Sequence, residues 1–195
     1  MAVVTAPPAP LTYAQLVRLR EKLDDHNRYE IIGGELEVTP APAPRHQWVS
    51  AHLFRMLVNH VLDHRLGMVF FAPLDVILTD HDVVEPDIVY LTAEQLARVT
   101  ERAVEEPPTL VVEILSPSTA QRDRTRKQQL YERQGVPHYW LADPVLHVLD
   151  VYERHEGRYE LVASLTGDAE FRPALFPGLV IRLADVWPPP GWRAR

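Results

Sequence analysis

The chain has no cysteine. That absence excludes disulfides, thiolate nucleophiles and any zinc site built on sulfur. A metal would have to rely on carboxylate, imidazole, carbonyl or water. No apolar run reaches the roughly 20 residues that cross a bilayer, so no membrane association is expected. The opening "MAVVTAPPAPLT" lacks a basic segment followed by an apolar one, the mark of a signal peptide. A cytoplasmic location is the expectation. Lysine is almost missing too. There are eighteen arginines and only two lysines, Lys22 and Lys127. The net charge of −7 lacks the broad basic surface of a protein that passively coats DNA. It leaves room for a nuclease, whose divalent metal would bring positive charge to the place where phosphate sits.

What is present suits one domain: 195 residues, 46% hydrophobic and 24% charged. Residues 1–11 are rich in Ala and Pro and read as a loose tail. Thr12 with Gln15 forms a capping-box pattern, predicting a helix over 13–24. "RYEIIGGELEV" is a hairpin turning at Gly33 and Gly34. Val49, Leu53, Met56, Leu57 and Val61 recur at helical spacing, giving a long helix over 45–64. Strands are expected in "MVFFAPLDVILTD", broken at Pro73, and in "EPDIVYL". Thr92 and Gln95 repeat the capping box and predict a helix to 103. "TLVVEIL" is the most apolar strand, followed by a helix over 118–134 that stops at a glycine. "HYWLAD", "VLHVLDVYER", "RYELVASLT" and "LVIRL" complete the strands. "WPPPGWRAR" is expected to leave the domain, which spans 12–187 with a Pro-rich tail over 188–195. The order predicts a mixed sheet with flanking helices, α/β or α+β.

One residue stands out. Strand side chains alternate, so Val111, Glu113 and Leu115 share a face, and Glu113 is a carboxylate among apolar neighbours. A lone buried carboxylate costs several kcal/mol unless paired or metal-bound. Asp87, at the start of "DIVYL", is the nearest acid of the same kind. A short β-α-β step would lay the two strands side by side. Two close carboxylates repel, and a divalent cation removes the conflict; oxygen donors favour Mg²⁺ or Mn²⁺. Lys127 comes next. The path out along the strand after Glu113, about 13 Å, nearly cancels the return along the helix, about 12–13 Å. The lysine can therefore come back to the level of Glu113.

At these residues the sequence resembles the Uma-type putative restriction endonuclease family. The likeness is carried by "YEIIGGELEVTPAPAPRHQ", "EPDIVYL", "VVEILSPST", the lysine in "RDRTRKQQLYERQGV" and "PHYWLADP", and it runs from about 12 to 187. The resemblance implies a PD-(D/E)XK, restriction-endonuclease-like fold. It implies that Asp87 and Glu113 are the motif's acids and metal ligands, and that the reaction is metal-dependent hydrolysis of phosphodiester bonds, of DNA in the first place. The motif's usual lysine position holds Leu115; Lys127 fits a lysine that has migrated to the following helix. Glu30 is then expected to complete the metal shell or to position a water, and His46 to contact phosphate or carry a proton. Arg122, Arg124 and Arg126 are expected at the nucleic-acid backbone. Duplex cleavage would favour a homodimer or higher homo-oligomer.

Each residue also has a plainer reading. Glu113 could be salt-bridged to an arginine, and Asp87 could be a turn residue. Glu30 and Glu35 read as edge-strand charges rather than ligands, with Glu30 the better match to the family, and Asp123 with Lys127 as a surface ion pair. The three arginines read as a solvated face, His60 and His64 as ordinary histidines, and Tyr139-Trp140 as core. The competing functions are a nucleic-acid-binding or regulatory protein on the same fold without turnover, and an oligomeric interaction module that pairs through the tail and the strands after 138.

Overall fold

A computed structural model describes residues 9–117, 119–189 and 191. Thr12 caps the first helix, α1 (Tyr13–Arg20), through the reciprocal bonds of a capping box with Gln15. The helix is shorter than its pattern suggested and ends in a turn at Glu21. The hairpin forms as expected, β1 (Arg28–Ile32) against β2 (Glu35–Thr39). Gly34 adopts φ +78° at the turn, and a Cβ there would lie 2.3 Å from Pro10 Cβ. The same turn holds the incoming chain, because Leu11 N donates to Gly34 O at 2.9 Å. Of the tail read as loose, residues 1–8 lie outside the described residues.

The long helix α2 (Pro44–Asp63) starts with Pro at its first position, where a missing N–H costs nothing. β3 (Gly67–Phe71), β4 (Asp75–Thr79), β5 (Asp82–Val84) and β6 (Ile88–Thr92) follow. The helix predicted from Thr92 to 103 does not form. The capping bonds between Thr92 and Gln95 are made, but they open only one 3₁₀ turn, Gln95–Arg98. Gln95 is pulled elsewhere: its amide donates to Pro107 O and its carbonyl accepts from Thr109. The chain after it is drawn out as β7 (Ala103–Val104), which pairs with β4. Tertiary pairing overrides the local helix signal.

β8 (Leu110–Ile114) leads into one continuous helical segment. It comprises α3 (Ala120–Arg122), a π turn (Asp123–Lys127) and α4 (Gln128–Gln134), which ends at Gly135 in the left-handed conformation. β9 (His138–Asp143), β10 (Val148–His155) and β11 (Arg158–Thr166) run on, and β12 (Glu170–Phe171) pairs with β13 (Ile181–Arg182). The expected C-terminal departure begins later than the sequence suggested. Trp187 is buried, stacks on His147 and donates to Gly167 O at 2.7 Å.

The two larger sheets have the orders β2-β1-β5-β4-β7 and β11-β10-β9-β8-β6-β3. The alternation of β8 splits the core in two. Leu110, Val112 and Ile114 face α2, meeting Val49, Leu53, Leu57 and Val61. Val111 and Leu115 face the other way, toward Leu130 and Tyr131 of α4 and toward Ile32, Val76 and Val84 of the five-stranded sheet. Tyr139 and Trp140 are both core residues, one on each side. The chain crosses from one sheet to the other at Glu85-Pro86-Asp87, between β5 and β6. That crossing is where the site lies.

Candidate active site

β6 and β8 pair antiparallel, with Ile88 opposite Val112 and Val89 opposite Val111. One step further the register brings Asp87 opposite Glu113, at the point where the ladder ends. Beyond it the amide of Ile114 donates to Asp87 Oδ2 at 2.8 Å. The adjacency of the two acids is as expected, but the β-α-β step is not. The strands are antiparallel, since the connection contains a single 3₁₀ turn and β7 in place of a crossover helix.

The hairpin supplies the next groups. Alternation along β1 turns Tyr29 and Ile31 toward Leu16 of α1. Arg28 and Glu30 turn to the opposite face, toward the acids. Arg28 Nη1 lies 2.8 Å from Asp87 Oδ1. Glu30 is buried, and β1 lies inside its sheet between β2 and β5, so the edge-strand reading of this residue is corrected. Glu30 Oε1 accepts from the amide of Glu85 and meets Lys127 Nζ, both at 2.8 Å. Glu35, on the edge strand β2, is exposed and pairs with Arg126.

The helical segment closes the site. Thr119, Asp123, Lys127 and Tyr131 recur every fourth residue. On a regular α-helix such a stripe would drift by about 40° per step. The wider π turn, in which the amide of Gln128 reaches back to Asp123 O, takes up part of that drift. All four side chains are buried on the strand-facing side. Lys127 Nζ lies 2.9 Å from Glu113 Oε1, and the Tyr131 hydroxyl donates to the same oxygen at 2.8 Å. Asp123 is thus no surface partner of Lys127. It is buried at the wall of the site's cavity, with Arg122 Nε 3.6 Å from its Oδ1.

From α2, His46 Nε2 stands 3.0 Å from Asp87 Oδ2, while its Nδ1 is buried without a hydrogen-bond partner among the described residues. A cavity of about 220 Å³ joins these elements, walled among others by Arg28, His46, Asp87, Glu113, Arg122 and Lys127. Glu30, Asp87, Glu113 and Lys127 therefore converge, with His46 beside Asp87.

The electrostatics divide the acids. Burial opposes ionisation of Asp87, but the hydrogen bond and charge of His46, the charge of Arg28 and the Ile114 amide outweigh it and hold the carboxyl down to about 2. Glu113 goes the opposite way. Burial raises it, Lys127 only partly compensates, and Asp123, Asp87 and Glu30 add repulsion, leaving it at about 8. Lys127, despite burial, is held firmly protonated by Glu113 and Glu30. One carboxylate of the facing pair is thus ionised and fixed, and the other keeps a proton near neutrality.

The three arginines are neither a free face nor simply solvated. Arg122 bonds Thr39 at 2.8 Å and lies 3.5 Å from Glu30. Arg124 lies 2.8 Å from Asp150, and Arg126 pairs with Glu35 and Glu37. His60 and His64 stack at 4.2 Å. Among the described residues no group of three His, Asp or Glu side chains is gathered closely enough to hold an ion by itself. Sequence reasoning missed Arg28, Asp123 and Tyr131 as members of the cluster. The signals were there: Arg28 alternates with Glu30 on the strand, and polar residues recur every fourth position from Thr119 to Tyr131.

The sequence model of the Uma2 family, described as "Putative restriction endonuclease", matches residues 13–184. Comparison with curated proteins finds no match. Among solved structures, a protein from Anabaena variabilis ATCC 29413, described as a putative nuclease belonging to DUF820, superposes with a TM-score of 0.73. The two are 22% identical over 91% of this chain and 98% of the other. That likeness establishes a shared mixed-sheet fold.

Proposed function

This chain belongs to the Uma2 family, and from that premise we propose that it is a metal-dependent nuclease hydrolysing phosphodiester bonds of DNA. One observation carries the reading. Asp87 and Glu113 occupy facing positions on adjacent strands at the wall of one cavity, with the Lys127 ammonium 2.9 Å from Glu113.

The donor set fits magnesium or manganese. Two hard carboxylates from rigid strands, with the remaining positions left to water and phosphate oxygens, are what Mg²⁺ commonly takes. Asp87 and Glu113 would hold the ion, which when bound supplies an activated water and offsets phosphoryl charge. The chain's own residues do the rest. Arg28, His46 and the Ile114 amide fix Asp87 as a carboxylate before any ligand arrives. Glu30, itself anchored by the Glu85 amide, holds Lys127 at the wall. The ammonium then stands ready for charge developing on a phosphoryl oxygen. The contact between Nε2 and Asp87 orients the His46 ring and leaves Nδ1 without a partner among the described residues, the ring nitrogen through which it could meet substrate. Arg122 adds a cation to the same wall.

Glu113→Gln tests the reading. Glutamine can still accept from Lys127 and Tyr131, so the fold should survive. Wild type is expected to cleave plasmid or single-stranded DNA with Mg²⁺ or Mn²⁺, and the variant to lose at least a hundredfold. A wild-type protein that cleaves neither DNA nor RNA with either metal would refute the proposal. Two observations favour a second reading, nucleic-acid binding without turnover: Leu115 fills the motif's lysine position, and Lys127 is clamped between two carboxylates. Tight DNA binding with no cleavage by wild type would decide for it.

A further inference from the structure

On the α2 side of Asp87 lies a second cavity of about 350 Å³. We infer that it is a nucleobase subsite, taking the base of a nucleotide next to the phosphate bound at the Asp87–Glu113 cavity. The inference rests on the nuclease reading and specifies the form in which the substrate arrives: an unpaired nucleotide, from a single strand or turned out of a duplex.

The two cavities share walls at Arg28, His46 and Asp87. A polymer whose phosphate lies against these groups must send its neighbouring sugar and base to one side or the other. On one side stand Glu113, Lys127 and Asp123, a charged and buried cluster, beside the prolines and alanines of the 40–43 connection; that wall has no aromatic ring for a base to stack on. The other side is built differently. Phe71 ends β3, the outermost strand of its sheet, and is 58% exposed, although most large apolar residues of this chain are buried. Phe54 meets it edge-to-face, with centroids 4.7 Å apart and planes at 64°. That contact steadies the Phe71 ring and leaves much of its surface open. From the next turns of α2, Gln47 and Ser50 bring an amide and a hydroxyl to the same cavity. An aromatic ring supplies stacking, which every base accepts. The amide and hydroxyl supply donors and acceptors for a base edge. Arg28, on the shared wall, supplies charge for the phosphate between them. A purely apolar occupant would leave the amide and the hydroxyl unmatched.

Binding measured without cleavage separates the subsite from the chemistry. A labelled single-stranded hexanucleotide is titrated by anisotropy in EDTA against wild type, Phe71→Ala and Phe71→Trp. The alanine variant should bind about tenfold more weakly, and tryptophan should restore affinity. A hexanucleotide carrying one 5-iodouracil, irradiated in the wild-type complex, should cross-link to the peptide containing Phe71 or Phe54. Equal affinity of wild type and Phe71→Ala, or cross-links only to other peptides, overturns the subsite. If the wild type also cleaves the oligonucleotide when Mn²⁺ is added, the nuclease reading stands while the subsite falls. A wild type that neither binds nor cleaves overturns both.

Discussion

The Lys127 ammonium stands 2.9 Å from a Glu113 carboxylate oxygen fourteen positions earlier in the chain, and 2.8 Å from Glu30 on a different sheet. A fully buried lysine is tolerated here because it satisfies two buried acids at once. The same contact ties the hairpin, the central strand and the helical segment into one unit. Held apart, the hairpin and the helical segment would each bury an uncompensated charge, Glu30 on one and the ammonium on the other.

Removal of that amine should therefore be felt in stability as well as in activity. Lys127→Met leaves Glu30 and Glu113 facing each other without their shared cation, and a broken buried pair typically costs about 3–5 kcal/mol. Chemical denaturation should show a loss of this size. Adding Glu30→Gln to the variant should recover part of it, because Glu30 is the acid held ionised and glutamine brings no charge to be stranded. A Lys127→Met protein as stable as wild type would mean that the ammonium is not paired as described.

Glu113→Gln alone is expected to be mild or stabilising above neutral pH. The carboxyl already holds its proton to about 8, so the amide resembles the form the fold prefers. Raising the pH from about 5 to 8 should destabilise wild type relative to the variant. An acid whose folded pKa lies above its unfolded value loses stability as the pH climbs through that interval. Thermal melts of both proteins in EDTA at several pH values check this. In the same protein, Mn²⁺ affinity by calorimetry should fall at least tenfold.

Asp87 has the opposite sign. Its folded pKa drops from an ordinary 3.8 to about 2. Its contribution is present above the unfolded value and is lost as the pH falls from about 4 toward 2. The difference corresponds to about 2 kcal/mol. Metal-free wild type should lose stability over this acid range more steeply than Asp87→Asn, and urea midpoints that fall in parallel would contradict the pairing with Arg28 and His46.

Leu53 is fully buried where α2 meets the central strands. Leu53→Ala should cost about 2–5 kcal/mol through lost burial and the cavity left behind. His46 lies on the same helix two turns earlier, so a folded Leu53→Ala protein should also show weakened Mn²⁺ binding if α2 shifts on the sheet. Equilibrium unfolding together with calorimetry measures both effects.

Much of this architecture was legible along the chain. The glycine pair gave the hairpin, the apolar stripe of Val49, Leu53, Leu57 and Val61 gave α2, and alternation around Glu113 showed that a carboxylate must enter the core. Matching strand and helix rises brought Lys127 back to Glu113, as the 2.9 Å contact bears out. The capping box at Thr92 misled because its glutamine is recruited by Pro107 and Thr109, which cut the helix to one turn. Asp123 misled because a four-residue spacing to a lysine describes an exposed pair equally well. Only the π turn and the strand beneath it send both side chains inward.

The sequence by itself determined which residues could not be left alone: a carboxylate among valines, and a rare lysine one helix later. Those follow from local periodicity and the cost of burying charge. Tertiary structure decided who answers them. The crossing at Glu85-Pro86-Asp87 between two sheets brings Arg28, Glu30 and His46 to the two acids, and it fixes one acid ionised and the other protonated. Such pairings depend on distances between segments up to about a hundred residues apart, set by how sheets and helices pack, and no spacing along the chain encodes them.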